Sequence, residues 1–263
     1  MINKVVRDTF TEIPRVPLIW TLVIALLVVT TVITDLVFGT ATNVIIFFLA
    51  TIFIPIMVIV LSVVPIDKFW DVLGFNVGKW WHYIVYILVG FGVGFGLYVL
   101  VAKPFASFLG ILPLPMGFVF YQSVLVDLNI PPILGIAGGI IYFSMVGFSE
   151  EIMRKFLTDS FANHISSKFR KLDKLSVLIY GSLIGSIIWC ASHLGSYTIA
   201  QSAPLISYVV AYLIGLIFVI PCVLGLILKG TSFEFDEYVI IPSIIAHIVY
   251  DTLIFFGYTS SIL

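Results

Sequence analysis

The sequence predicts an all-α protein, a polytopic transmembrane helical bundle of about eight spans, each needing about 20 apolar residues. Three observations carry that prediction. The chain of 263 residues is 61% hydrophobic and only 10% charged, where a soluble domain lies nearer half apolar and a quarter charged. Its mean hydropathy is +1.19. Its apolar residues come in long runs broken by charges or by Pro, Gly and Asn clusters, the pattern of consecutive membrane helices. The same composition excludes disorder, a disulfide scaffold and a nucleic-acid partner, because the net charge is −1 and there are two cysteines. With eight spans and their connections the length is used up, so residues 1–263 read as a single integral membrane domain.

A charged N-terminal segment with Lys4, Arg7, Asp8, Glu12 and Arg15 precedes span one, about Pro17 to Ile33, read as an uncleaved helix. Span two covers about Val44 to Val64. A polar stretch rich in Trp and Tyr follows, from Asp67 to Tyr83, with the composition of a segment at the headgroup level, and His82 is read as part of that aromatic belt. Span three, Tyr83 to Val101, carries Gly90, Gly92, Gly94 and Gly96, whose i, i+2 spacing lines no single helical face. Span four, Pro104 to about Val126, is weakened by Pro113 and Pro115. Span five starts after Pro131 and Pro132 and runs into Glu150 and Glu151. Arg154, Lys155, Lys168, Arg170, Lys171 and Lys174, six of the thirteen basic residues, then lie between two apolar runs. The positive-inside rule makes the 154–174 connection cytoplasmic. Span six is Leu175 to about Leu194, span seven Pro204 to Leu228 and span eight Val239 to about Gly257.

Ionisable residues within spans cost about 2.5 to 3.5 kcal/mol on insertion scales and face a bundle interior or a watered cavity. Here they are Glu150 and Glu151 at the end of span five, His193 near the end of span six, and His247 and Asp251 in span eight. The last two are four apart and share a helical face. If spans five and six form a hairpin that sets Glu150 level with His193, the turn falls near residues 171 and 172, in the most polar stretch available, Arg170 to Lys174. Two plain alternatives stay open: ion-paired helix ends, Glu150 with Arg154 and Glu151 with Lys155, and a hydrogen-bonded His247–Asp251 staple. Asp35, Asp127 and His164 read as helix ends or loop, and Cys190 and Cys222 as small core residues. No H-E-x-x-H, G-x-S-x-G or phosphate loop is present.

Carboxylates beside imidazoles in a low-dielectric cavity are suited to activating water, and His247 with Asp251 could offer hydrogen bonds to an oxyanion across the scissile carbonyl. The order of residues resembles the type II CAAX prenyl endopeptidase and bacteriocin-processing family of intramembrane proteases. The matching positions are Glu150, Glu151 and Arg154, then Trp189 and His193, then His247 and Asp251, within about residues 130–258. The resemblance implies an endopeptidase acting on prenylated or hydrophobic peptides, with water activated by Glu150 and His193 and an oxyanion site at His247 and Asp251. Arg154 and Trp189 would support them. It leaves zinc open, held if at all by His193, His247 and Glu150, and implies membrane lipid as a partner and the plasma membrane of a prokaryote as the location. Oligomeric state is not implied.

Two departures from the family pattern stand. Only Ile152 and Met153 separate Glu151 from Arg154, where the family has three residues, so Lys155 takes the arginine's place or Ser149-Glu150 fills the pair. Asp251 stands where the family has asparagine; it must be protonated beside an oxyanion, or else orient His247. Two other functions compete: a non-catalytic relative acting in bacteriocin immunity or as a membrane scaffold, and a proton-coupled transporter.

Overall fold

The computed structural model describes residues 69–104, 129, 131–191, 204–229, 235 and 237–259. Spans one, two and four lie outside these, as do Asp35, Asp127 and His193. Every regular element among the described residues is helical. They are α1 (Phe69–Leu73), α2 (Trp80–Leu97, continued by a π-helical turn Tyr98–Ala102), α3 (Pro132–Lys168), α4 (Lys174–Ala191), α5 (Pro204–Val219, continued by a 3-10 turn Ile220–Val223), α6 (Leu224–Ile227) and α7 (Ile241–Thr259). Span three thus corresponds to α2, and spans five to eight to α3, α4, α5 with α6, and α7. Trp80–Ala102 and Pro132–Lys168 are long and apolar enough to cross a membrane, and the apolar stretches Lys174–Cys190, Tyr212–Ile227 and Ile241–Gly257 are shorter.

The helix ends follow from local chemistry. Pro132 opens α3 at a position whose N–H has no helical partner in any case. Asp173 caps α4, its Oδ1 accepting the Ser176 N–H at 2.7 Å. Pro221 cannot donate to a carbonyl four residues back, and α5 tightens there into the 3-10 turn. Gly74, at φ +73°, closes the turn after α1 in a conformation that glycine adopts without cost.

One expectation from the sequence holds and another is revised. The turn between α3 and α4 falls at Phe169–Asp173, where the hairpin argument puts it. The basic connection is much shorter than 154–174, however, because α3 continues as one helix to Lys168. At 1.5 Å per residue α3 is about 55 Å long, well beyond the roughly 30 Å of a hydrocarbon core. Arg154 and Lys155 are buried within it. Residues 149–160 are all buried, so this charged turn of helix is enclosed by protein, whereas Ile133, Leu134, Ile141 and Met145 before it are exposed.

The glycines of α2 do sort onto faces. A Cβ on Gly90 or Gly94 would strike the α7 backbone, at the Pro242 and Ala246 carbonyls, while nothing lies within 4 Å of one on Gly92 or Gly96. The i, i+4 pair is the contact face that the i, i+2 count obscures. α7 lies on α2 along this seam, and packs as well on α3 and α5. Its Ile244 joins a core cluster with Ile152, Phe156 and Trp189, and its Ala246, Tyr250 and Ile254 join another with Phe143 and Phe218.

Candidate active site in the helical core

Glu151 is the most enclosed of the described acids, with no exposed surface. Arg154, three residues on, reaches back to it with Nη2 and, at 3.2 Å, with Nε. Ser243 Oγ of α7 meets Glu151 Oε2 and Arg154 Nη2 together. His247 Nδ1, one turn along α7, lies 2.8 Å from Glu151 Oε1. Against a carboxylate that ring nitrogen is the donor, which fixes the proton on Nδ1. Arg154 Nη1 adds a contact of 3.4 Å to the Gly215 carbonyl. Gly215 lets α5 come this close, since a Cβ there would lie 2.9 Å from the Trp189 ring.

The other edge of the same imidazole faces two more acids. His247 Nε2 is 3.7 Å from Glu150 Oε2 and 3.5 Å from Asp251 Oδ2. The ring is fixed in plane by Phe218, stacked on it at 4.7 Å, and by Trp189, edge-on at 6.0 Å between ring centroids. Of the residues singled out from sequence, Glu150, Glu151, Arg154, Trp189, His247 and Asp251 therefore meet around one imidazole. His193 belongs to the segment outside the described residues. Arg154 engages Glu151, and Lys155 turns instead to Asp159. The two ion pairs suggested by helical spacing alone, Glu150 with Arg154 and Glu151 with Lys155, give way to an i, i+3 pair and a pair one turn further along. Among the described residues no group of three or more His, Cys, Asp or Glu side chains is disposed to hold a metal ion, and His193, one of the three residues suggested for zinc, lies outside them.

Ser243 was legible only as a small polar residue one turn before His247; with His247 and Asp251 it forms an i, i+4, i+8 row on the buried face of α7. Replacing it with alanine strips one partner from each member of a buried ion pair. Ser243→Ala is expected to cost about 1 to 3 kcal/mol, read as a lower Tm in detergent.

A second acid–imidazole cluster went unseen in the sequence. His82 is fully buried, not part of a headgroup belt. Its Nδ1 lies 2.5 Å from Glu237 Oε1 and its ring stacks on Phe235 at 4.2 Å. Glu237 also accepts the Gly78 N–H at 2.9 Å and the Tyr86 hydroxyl at 3.1 Å. Partial burial pushes the Glu237 carboxyl up, but the Gly78, His82 and Tyr86 hydrogen bonds outweigh it and hold it below the usual carboxylate range. A depressed pKa contributes stability that is complete above the unfolded value, about 4.3, and is lost only as pH falls through the lower folded value.

A family model described as type II CAAX prenyl endopeptidase Rce1-like matches residues 132–253. That stretch begins with α3 and ends within α7, and so takes in every described member of the cluster around His247. No curated protein and no solved structure matches the chain. Over residues 132–253, which span α3 to α7, the chain is thus similar to the type II CAAX prenyl endopeptidase Rce1-like family.

Proposed function

We propose that the protein is an intramembrane endopeptidase that hydrolyses peptide bonds of prenylated or otherwise hydrophobic peptides, using water activated by Glu150 together with His193. The observation that carries this reading is the meeting of Glu150, Glu151 and Asp251 around the His247 ring inside the matched domain. Glu151 already accepts from Arg154, Ser243 and His247, which suits it to holding the ring and not to taking a proton from water. Glu150 lies on the Nε2 side, where Asp251 also lies. There a water could give its proton to Glu150 as its oxygen attacks the carbonyl carbon. The oxyanion that forms would accept a hydrogen bond from Nε2–H of the imidazolium. Glu150 then returns the proton to the departing amine nitrogen as the C–N bond breaks. Asp251, 3.5 Å from Nε2, fits the orienting role better than a direct contact with the oxyanion. Substrate would enter from lipid, and the basic turn with Lys168, Arg170, Lys171 and Lys174 would face the cytoplasm.

The test is hydrolysis by the purified chain in liposomes, read by mass spectrometry, of a prenylated CAAX peptide and its unprenylated counterpart. One water should be added across one peptide bond, with the prenylated peptide preferred, and His247→Ala should lower the rate about a hundredfold or more. Undiminished hydrolysis by His247→Ala would remove the imidazole from the mechanism. A wild-type protein that cleaves neither peptide but moves protons in response to a pH gradient would make it a transporter.

A further inference from the structure

We propose that Glu237 and Tyr238 are positioning residues of this site, clamping the segment that leads into α7 so that His247 arrives opposite Glu150 and Glu151. The inference rests on the reading of the site just given. Each of the four residues before α7 is tied to a different part of the fold. Glu237 is held by Gly78, His82 and Tyr86 at the start of α2. Tyr238 is held by α3: Lys155 Nζ sits 4.5 Å from its ring centroid, and its hydroxyl lies near the Asp159 carboxylate. The Val239 N–H reaches the Cys222 carbonyl in the 3-10 turn at 3.3 Å, and the Ile240 N–H reaches the Gly74 carbonyl after α1 at 3.1 Å. From Ile240 onward the chain is helix, its carbonyl accepting the Ser243 and Ile244 N–H groups.

A helix transmits such anchoring rigidly. Slipping the entry to α7 by one residue would turn its side chains by about 100° and move them about 1.5 Å along the axis, taking His247 off Glu151. The clamp has no slack on its far side either, for a Cβ on Gly225 would collide with the Glu237 main chain and the Tyr86 hydroxyl. α3 also grips both α7 and the segment before it. Glu151 and Arg154 hold Ser243 and His247, and one turn on the buried Lys155–Asp159 pair holds Tyr238. Burying a second ion pair is costly, and its place beside Tyr238 puts that cost where the register of α7 against α3 is set. This also gives Lys155 a function apart from the glutamate pair.

The experiment is hydrogen exchange of the full chain in nanodiscs, with peptide cleavage measured in parallel, for Glu237→Ala, Glu237→Gln and Tyr238→Phe. Glu237→Ala should speed exchange of the amides of 243–251 about tenfold or more while α3 and α4 keep their rates. It should lower kcat about tenfold with KM nearly unchanged. Glu237→Gln keeps an acceptor for Gly78 and His82 and should recover most of both. Tyr238→Phe, which removes one hydroxyl, should speed exchange in the same segment about threefold, and it carries the test if Glu237→Ala fails to assemble. Unchanged exchange in 243–251, an equal rise throughout α3 and α4, or a glutamine variant as damaged as the alanine one would overturn the clamp. If the wild type cleaves no peptide, the proposed function fails separately and the exchange pattern still decides this inference.

Discussion

Glu150→Gln is expected to abolish peptide hydrolysis while leaving the fold intact, and Glu151→Gln to damage the fold itself. The two adjacent carboxylates differ in what they hold. Glu150 stands on the Nε2 edge of His247, where loss of a general base costs about a hundredfold to ten-thousandfold in rate. Glutamine there keeps the shape and removes the proton acceptor, so the melting curve should stay near that of the wild type. Glu151 neutralises Arg154 in a place without solvent. Removing its charge leaves a guanidinium buried without its counter-charge, a loss of about 3 to 5 kcal/mol. Cleavage by the residual folded Glu151→Gln fraction should then fall less than its stability does. Activity surviving in Glu150→Gln but lost in folded Glu151→Gln would exchange the two roles.

How far the sequence could be read depended on whether the deciding partner was near in the chain or far. The apolar runs located α2, α3, α4, α5 and α7 because spanning hydrocarbon constrains composition directly. The apolar run ends about five turns before α3 does, since charges from Glu150 onward look like an exit from lipid. They are instead wrapped by α4, α7 and the segment before α7. Spacing put His247 and Asp251 on one helical face, and the structure sets Glu150 and Glu151 of α3 beside them. Spacing could not say which acid Arg154 chooses. That choice follows from Ser243, 89 positions away, completing the bond to Glu151 and Arg154 together. His82 failed for the same reason: its neighbours Trp80, Trp81 and Tyr83 mimic a belt, and the group that draws it inward is Glu237, 155 residues later.

Gly94→Ala should destabilise the protein and Gly96→Ala should not, although the two glycines are two residues apart in one apolar helix. An added methyl at 94 points at the Ala246 carbonyl and stops 2.9 Å from Val249 Cβ, and neither backbone nor β-carbon can rotate aside. α7 must then move off α2, a strain of about 1 to 3 kcal/mol or more. At 96 the same methyl meets nothing within 4 Å, and exchanging glycine for alanine in a helix there gains about 0.5 to 1 kcal/mol. Because Ala246 precedes His247, the displaced helix carries the imidazole with it. Gly94→Ala should therefore lower cleavage as well as Tm, and Gly96→Ala neither. Gly90→Ala belongs with the first, since its Cβ would press on the Pro242 carbonyl, and Gly92→Ala with the second. Melting in detergent, with activity measured on the folded fraction, separates the four. Equal effects at 94 and 96 would mean that α2 does not set the position of α7, and the seam that carries His247 would have to be sought on α3 and α5 instead.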